Sequence, residues 1–466
     1  MPELILPGVY IDVRAEALIV GGPISIGNIG IVGTAAGGTV GKVEILGSFA
    51  DATDKFGPYD AFDPLAATPS LTLVRALQVA YDNGASTVLA VRVAKGTPTS
   101  AKITLASATG TAAELTAQKP GTFGNPATAK VEAASDPLKA KVTLTFKNLS
   151  EVYEAATGAD LVSQINAGSA IATAAAGTRP TEKPDVLPET AFTAGDNGAD
   201  ATVADYKKGL DALLNEDAHI IVAAGLDEAT IGADLKSHVE AASTDKVKRD
   251  RIAVAGSPAN PAPTTTPTQF SDRLIFVTPG IKVTDIAKAA DPAIDDPSVT
   301  LSGAYTAAAI AGMLSARDPQ VSLTNKALSV AGLEKKFTSA ELEQLVKAQV
   351  LALEDRTGFR VVKAITTDAG AFRQITTRRI VDYAKFGVRS AAEPYIGLLN
   401  NDRVRKALKG GINGFVAGMV DDEMLESYEL DVTATRDEEI RGIAKVTMTL
   451  RPTFSIDYIK VVMFLG

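Results

Sequence analysis

The stretch LTLVRALQVAYDNGASTVLAVRV, residues 71–93, decides the class of fold. Leu73 and Leu77 recur at helical spacing, an Asn-Gly pair ends the helix, and the apolar run VLAVRV, residues 88–93, follows as a strand. A strand without polar alternation is buried on both faces, as happens in parallel sheets that are flanked by helices. This helix–turn–strand unit therefore predicts an α/β domain.

The same pattern recurs on either side of this unit. IGIVG, residues 29–33, is a short buried strand, and the helical residues 204–215 lead into the apolar strand 219–222. Two more apolar strands are predicted at residues 251–254 and 273–277. Helices that alternate with buried strands indicate a mainly parallel sheet.

Two regions depart from this pattern. Residues 97–191 are rich in Thr and Ala, with strand-like runs between Gly and Pro, which favours a β-rich insertion. At Thr338, a capping box with Glu341 predicts the start of a helix. Two more helices are expected around residues 379–388 and 403–420, so the chain is predicted to end in an α+β domain.

Both ends of the chain show the alternation that is typical of β-strands. An apolar strand must be buried, either within its own domain or by strand addition to a neighbouring subunit, and both options stay open at this point. The apolar residues concerned are Val9, Ile11 and Val13 at the start and Phe454, Ile456, Tyr458, Val461 and Val462 at the end.

The composition excludes several kinds of chemistry. The chain has 466 residues with no Cys and two His, so disulfides, thiolate metal sites and multi-His metal sites are excluded. Its net charge of −9 is unfavourable for a general nucleic-acid binder. No apolar stretch approaches the roughly 20 residues that a membrane-spanning helix needs. We expect no cofactor and no bound metal.

The nearest approach to a catalytic motif is GGTVGK, residues 37–42. A phosphate loop requires Gly at position 36 and Ser or Thr at position 43, which are Ala36 and Val43 here. His219 is interpreted as a structural residue and His238 as a solvated one. The alternative function, a soluble α/β nucleotide-dependent enzyme with its site near residues 33–42, is therefore poorly supported.

Charge is distributed in two opposite blocks near the C-terminus. Residues 356–409 contain twelve basic and four acidic side chains, whereas residues 421–439 contain nine acidic and one basic. Such blocks are often solvated faces, but a positive block followed by a negative one also suits a head-to-tail subunit that forms rings or helical filaments. Complementary charge favours correct docking and register.

Several stretches resemble, in the same order along the chain, the motifs of contractile tail sheath proteins of the bacteriophage (myovirus) type. This family is shared with R-type pyocins and extracellular contractile injection systems. The stretches are PGVYI (7–11), IGIVGTA (29–35), PGTFGN (120–125), GDNG (195–198), NKAL (325–328), ITTRRI (375–380) and the ending, residues 450–464.

The resemblance implies a structural subunit rather than an enzyme. Sheath subunits stack as hexameric rings into a helical cylinder around an inner tube, and their terminal arms pair with strands of neighbouring subunits. Contraction drives the tube through a target cell envelope. The implied partners are further copies of the chain, the inner tube, and baseplate and tail terminator proteins, with no direct nucleic-acid contact and no stable membrane insertion. We expect a virion tail or injection-system particle that is assembled in the host bacterial cytoplasm.

The expected fold is therefore a multidomain α/β and α+β protein with exchanged terminal strands. Its segments are an N-terminal exchange arm (1–20), an α/β sheath domain (21–96 and 192–337), a β-rich outward insertion (97–191), a C-terminal α+β domain (338–451) and a C-terminal exchange strand (452–466).

A second hypothesis concerns the charged blocks. The basic residues Arg403, Arg405, Lys406 and Lys409 form a broad cationic face of one predicted helix. They are expected either to face an acidic inner tube or to pair with the acidic block of another subunit. That block begins with Asp421, Asp422 and Glu423.

Overall fold

The computed structural model describes residues 27–63 and 70–465. The predicted arm residues Val9, Ile11 and Val13 lie outside the described residues. The chain divides into two compact units. The larger contains Gly27–Arg317 and Leu323–Gly370, and the smaller contains Asp318–Ser322 together with the residues from Ala371 onward. Among the described residues, no helix combines the length and the apolar character that crossing a bilayer requires.

Strands and helices alternate through the larger unit and give way to helices and a hairpin in the smaller one. The strands are β1 (Ile29–Gly33), β2 (Val43–Leu46), β3 (Val88–Arg92), β4 (Ser100–Ser107), β5 (Gly110–Pro120), β6 (Thr128–Ala133), β7 (Ala140–Phe146), β8 (Leu149–Ala155), β9 (Ala172–Ala176), β10 (Leu187–Ala191), β11 (Ile220–Ala223), β12 (Ile252–Gly256), β13 (Leu274–Thr278), β14 (Ile281–Thr284), β15 (Ser298–Leu301), β16 (Gly332–Leu333), β17 (Leu351–Asp355), β18 (Phe359–Val361), β19 (Leu425–Thr433) and β20 (Lys445–Pro452). The helices are α1 (Phe49–Phe56), α2 (Leu73–Asp82), α3 (Gly158–Gly168), α4 (Val203–Leu213), α5 (Glu228–Ala242), α6 (Ile286–Ala289), α7 (Gly303–Ser315), α8 (Ser339–Lys347), α9 (Ile375–Ala392), α10 (Asp402–Asp421) and α11 (Arg436–Ile440).

An eight-stranded sheet with the order β18-β17-β13-β12-β11-β1-β3-β2 forms the centre of the larger unit. Its six inner strands are parallel, and β2 and β18 are antiparallel edge strands. In register, Ile31 of β1 lies between Val222 of β11 and Ala90 of β3. The predicted α/β fold with a mainly parallel sheet is confirmed.

Helices cover both faces of this sheet. Leu210 of α4 and Leu235 of α5 share one apolar core with Val32 and Val91 of the sheet. On the other face α7, which is buried along almost its whole length, packs against α2 and the central strands. A side chain at Gly312 of α7 would collide with the backbone of α2, so this close helix crossing requires glycine.

The stretch predicted to be a β-rich insertion contains β4 to β10, one α-helix, α3, and a short 3-10 turn. Its strands form a three-stranded sheet, β4-β5-β9, and a four-stranded sheet, β10-β6-β7-β8. The two sheets and α3 share one apolar core, which includes Leu115, Leu144, Leu161 and Phe192. This region therefore has its own core, separate from that of the parallel sheet.

The structure differs from the expected domain boundary at residue 338. The capping box of Thr338 and Glu341 is present, and α8 begins directly after it. However, β17 then pairs in parallel with β13, with Leu351 opposite Val277, so this stretch belongs to the larger unit. The smaller unit resumes at Ala371. A local cap signal predicts where a helix begins, but it carries no information on which sheet the next strand joins.

The smaller unit consists of α9, α10 and the hairpin β19–β20 with α11 at its turn. The expected helices at 379–388 and 403–420 are confirmed, and both are longer than predicted. Ile412 and Val416 of α10 are buried between α9 and the hairpin. A side chain at Gly387 of α9 would overlap the ring of Phe415, so α9 and α10 cross at this glycine.

Two glycine substitutions test this packing. Gly387→Ala should lower the free energy of unfolding by about 1–3 kcal/mol, since the ring of Phe415 must move. Gly410→Ala on α10 is the matched control, because nothing lies within 4 Å of a Cβ there. It should raise stability by about 0.5–1 kcal/mol through helix propensity. Urea unfolding of unassembled chains, with hydrogen exchange read on peptides of α9 and α10, would measure both; equal effects would contradict the proposed crossing.

Candidate assembly site in the smaller unit

The Gly-rich segment after β1 is not built to bind phosphate. It leads into strand β2, whereas a phosphate loop leads into a helix N-terminus. A Cβ at Gly37 would lie 2.6 Å from Phe123, and one at Gly38 would lie 2.7 Å from Phe56, so aromatic rings occupy the space. The Arg92 guanidinium donates to the carbonyl oxygen of Gly38 at 2.7 Å. The segment therefore has a packing role.

The one sequence interpretation of a histidine that the structure overturns is that of His238. It is 6% exposed, and its Nε2 atom lies 3.0 Å from a guanidinium nitrogen of Arg251. Burial, followed by the nearby positive charge of Arg251, lowers the pKa of His238 to about 3. The ring is therefore neutral and buried, not solvated. The spacing of apolar residues in the sequence predicts a helix here. Whether His238 on that helix is buried depends on how α5 packs against the sheet, which the local sequence does not show.

An uncovered apolar tail follows β20. Residues 454–465, named here the C-terminal tail, have no helix or strand in the chain by itself. The five tail residues predicted for strand exchange are all exposed: Phe454 63%, Ile456 80%, Tyr458 81%, Val461 70% and Val462 63%. Exposure of large apolar groups in water costs about 1.5–3 kcal/mol each relative to full burial. Of the two options that the sequence left open, burial within the own chain is absent for the described tail.

The tail begins at a fixed point on the smaller unit. Thr453 donates its backbone N–H to the carbonyl oxygen of Met424 at 3.1 Å and its hydroxyl to that of Glu423 at 2.7 Å. These residues form the junction between α10 and β19. The tail therefore leaves the unit at the C-terminal end of α10.

The hairpin offers two open sheet edges. Within the described residues, the sheet of β19 and β20 has no third strand. One face, with Leu430, Val432, Met448 and Leu450, packs toward α10, and Leu430 pairs directly with Met448. A two-stranded hairpin is marginally stable alone, and its outer edges present unpaired N–H and C=O groups. Both edges are suited to accept further strands.

Two of the four predicted basic residues bind the acidic block of their own chain. The Arg405 guanidinium donates to Glu439 and to Asp402, at 2.9 Å each, and is 11% exposed. Lys409 lies 3.3 Å from Asp431. The hydrogen bonds from Arg436 and Arg405 lower the pKa of Glu439. Charge complementarity between the blocks is thus partly satisfied inside the smaller unit, an arrangement that spacing along the chain could not predict.

The other two, Arg403 and Lys406, project from the outer face of α10. Arg403 is exposed, and Lys406 is 81% exposed, at 4.0 Å from Asp402. The acidic residues Asp421 and Asp422 are exposed at the other end of the same helix, about 30 Å away for 20 residues. The helix dipole disfavours cations at the N-terminus and anions at the C-terminus. This charge order therefore does not stabilise the helix itself.

Glycines occupy the middle of the same outer face. At 100° per residue, Arg403 and Asp421 point in the same direction, and Gly410 and Gly414 lie within about 20° of it on either side. Both glycines are exposed, and nothing lies within 4 Å of a Cβ at either position. A glycine inside a helix costs about 1 kcal/mol relative to Ala. Packing inside the chain does not explain the two glycines, and they leave a flat surface between the charged ends.

Two family models match adjoining parts of the chain. The phage tail sheath protein central domain matches residues 199–367, and the phage tail sheath C-terminal domain matches residues 367–465. The matches meet close to Ala371, where the smaller unit resumes. No curated protein sequence matches the chain.

Solved structures with the same fold are sheath proteins. The sheath tail protein of Desulfitobacterium hafniense is 17% identical and has a TM-score of 0.69, with 96% of this chain and 100% of that chain covered. The sheath tail protein of Listeria innocua is 16% identical, with a TM-score of 0.68 and 95% of each chain covered. The helical sheath of the anti-feeding prophage in its contracted state is 16% identical, with a TM-score of 0.58 and 99% of each chain covered.

The family models together cover more than half of the chain, in the order that the sequence motifs predict. The chain therefore belongs to the phage tail sheath protein family and is a structural subunit of a contractile tail sheath.

Proposed function

We propose that this subunit forms stacked hexameric rings around an inner tube and that neighbouring copies are joined by exchanged terminal strands. The observation that carries the proposal is the exposed apolar tail next to a hairpin with two open edges. An isolated chain leaves both features unsatisfied, and a second copy satisfies both at once. Contraction of the assembled sheath then drives the tube through a target cell envelope.

Strand addition explains how the tail of one copy is proposed to bind the hairpin of the next. An added strand gains affinity from backbone hydrogen bonds and register from alternate side chains. Phe454, Ile456 and Tyr458 alternate with Ser455 and Asp457, so the first part of the tail has one apolar face to lay beside the hairpin. The N-terminal residues Val9, Ile11 and Val13 are proposed to occupy the second edge in the same manner.

Strand exchange between copies is compatible with a sheath that contracts. Backbone hydrogen bonds between exchanged strands hold copies together, while copies in neighbouring rings change from one packing to another. The chain itself has the fold of a sheath that was solved in the contracted state. We propose that the shared sheets persist through contraction and that the contacts between rings change.

The outer face of α10 is the proposed contact with the inner tube. Arg403 and Lys406 supply positive charge, and the flat glycine surface of Gly410 and Gly414 permits a neighbouring backbone to approach closely. An acidic tube surface would complement the cations. Asp421, Asp422 and Glu423 are proposed for contacts between subunits, since they lie at the opposite end of the helix.

The remaining proposals follow from membership of a contractile particle. We propose that the sheath binds baseplate and tail terminator proteins at its ends, and that it belongs to a virion tail or an injection-system particle assembled in the host bacterial cytoplasm. The chain is proposed to act without catalysis, cofactor or metal. In the described part of the chain, no group of three or more His, Asp and Glu side chains is placed to hold a metal ion.

Removal of the tail tests the exchanged joint. A chain that ends at Thr453 keeps the contacts of Thr453 with Glu423 and Met424, so it should fold normally. Because it lacks the strand to be exchanged, it should remain unassembled in negative-stain images and in size-exclusion chromatography. Ile456→Asp should have the same effect, whereas the matched Ser455→Asp should leave assembly within about threefold of wild type. Normal tubes from the shortened chain would contradict strand exchange.

Charge reversal tests the tube-facing side of α10. The double variant Arg403→Glu/Lys406→Glu should weaken binding to an acidic inner tube by about tenfold, equivalent to about 1.4 kcal/mol, and the loss should shrink at high salt. Lys183→Glu in the insertion is the control. Co-sedimentation of sheath with tube protein measures the effect. If the double variant binds the tube normally but fails to stack rings, the basic residues serve contacts between subunits.

A further inference from the structure

An apolar groove lies beside the first turns of α10. It is enclosed by the connection between α9 and α10 and has a volume of about 410 Å³. This volume is within the range of pockets that bury small ligands, so it has space for a few apolar side chains. The side chains that give it its apolar character are Pro394, Tyr395, Leu398, Leu399, Val404 and Ala407.

The groove is held in shape by hydrogen bonds. The Tyr395 hydroxyl donates to the carbonyl oxygen of Ala407 at 3.0 Å and so attaches the connection to α10. Asn400 donates to the carbonyl oxygen of Ile443 at 2.9 Å and accepts from Arg405 at 3.0 Å. Asn401 caps the helix through Val404. A groove that needs no rearrangement loses little entropy when it is filled.

Its walls remain open to water in the single chain. Leu398 is 56% exposed and Leu399 is 77% exposed, and the adjacent Ile396 is 81% exposed. At the hairpin turn, to which Asn400 is hydrogen-bonded, Ile440 is 72% exposed. A contiguous apolar patch of this kind on a soluble unit marks an interaction surface.

The last residues of the tail must be buried in a different way from the first residues of the tail. Alternation ends after Tyr458, and residues 461–465, VVMFL, are five apolar residues in succession. Their exposure ranges from 63% at Val462 to 100% at Leu465. A strand that lies on a sheet edge buries one face, whereas a continuous apolar run must be buried on both. An edge alone is therefore insufficient for residues 461–465.

Lengths permit one tail to reach both places. Along the hairpin, the eight residues of β20 span about 27 Å, and the twelve tail residues span about 40 Å when extended. A tail that enters a neighbouring hairpin at the α10 C-terminal end therefore overshoots the other end by about four residues. The groove lies at that other end, because Asn400 and Arg405 bond to Ile443 and Glu439 at the hairpin turn.

We propose that residues 461–465 of one copy fill the groove of the next copy, after residues 454–460 have paired with its hairpin. This inference rests on the proposed strand exchange and extends it by naming a pocket. Each copy has one tail and one groove, so a head-to-tail contact satisfies every copy in a helical assembly. Apolar side chains meet walls that are apolar apart from Asn401 and Arg403, and the Arg403 side chain is exposed to water.

Cysteine cross-linking tests the proposal cleanly because the chain has no Cys. Sheaths of the double variant Leu399→Cys/Val462→Cys should give ladders of covalent oligomers under mild oxidation, since a disulfide forms only when Cα atoms lie within about 7 Å. The pair Leu398→Cys/Phe464→Cys is a second probe of the same contact. Leu138→Cys/Val462→Cys is the matched control, because Leu138 is also 77% exposed but lies in the insertion. We expect at least tenfold more cross-linked chain for the groove pairs than for the control.

Three results would overturn the groove assignment. The first is that tubes form, but neither groove pair gives more cross-linked chain than the control pair. The second is a ladder from Leu399→Cys/Val13→Cys in place of the tail pairs, which identifies the N-terminal segment as occupant. The third is equal cross-linking in unassembled chains. In the first two cases strand exchange still stands if the chain ending at Thr453 fails to assemble; if that chain forms normal tubes, the proposed function fails as well.

Discussion

Exposure of the tail is the constraint on which the proposed assembly of this protein depends. Water-exposed apolar side chains lower the stability of a chain and favour any association that covers them. The tail begins at Thr453, which is hydrogen-bonded to the smaller unit, and its large apolar side chains are exposed. The proposed strand exchange covers these side chains from a neighbouring copy, and the hairpin has sheet edges of the kind that accept a strand.

The smaller unit is organised around α10, whose faces have separate tasks. Ile412 and Val416 on the inner face hold α9 and the hairpin together. Arg405 and Lys409 on the flanks fix the hairpin by ion pairs of 2.9 Å and 3.3 Å. The outer face contributes little to the subunit itself, since its charges oppose the helix dipole and its glycines weaken the helix. A single helix thus holds the unit together and leaves one face exposed.

The larger unit is built on a mainly parallel sheet, and its Gly-rich segment after β1 has a packing role. The segment after β1 is closed by Phe56 and Phe123, and the buried His238 is held neutral beside Arg251. Side chains of the larger unit therefore fill the space beside the segment after β1.

The sequence by itself determined the parallel sheet, the β-rich insertion and the helices of the smaller unit, since each depends on local periodicity. It also determined the order of motifs that identifies the family. Only the tertiary structure decided that the strand after Thr338 joins the large sheet, that His238 is buried and that Arg405 and Lys409 bind their own chain. Pairing, burial and charge partners depend on residues distant in sequence, so no local pattern records them. The same reason applies to the tail: its sequence favours burial, and only the folded chain shows that the tail is exposed among the described residues.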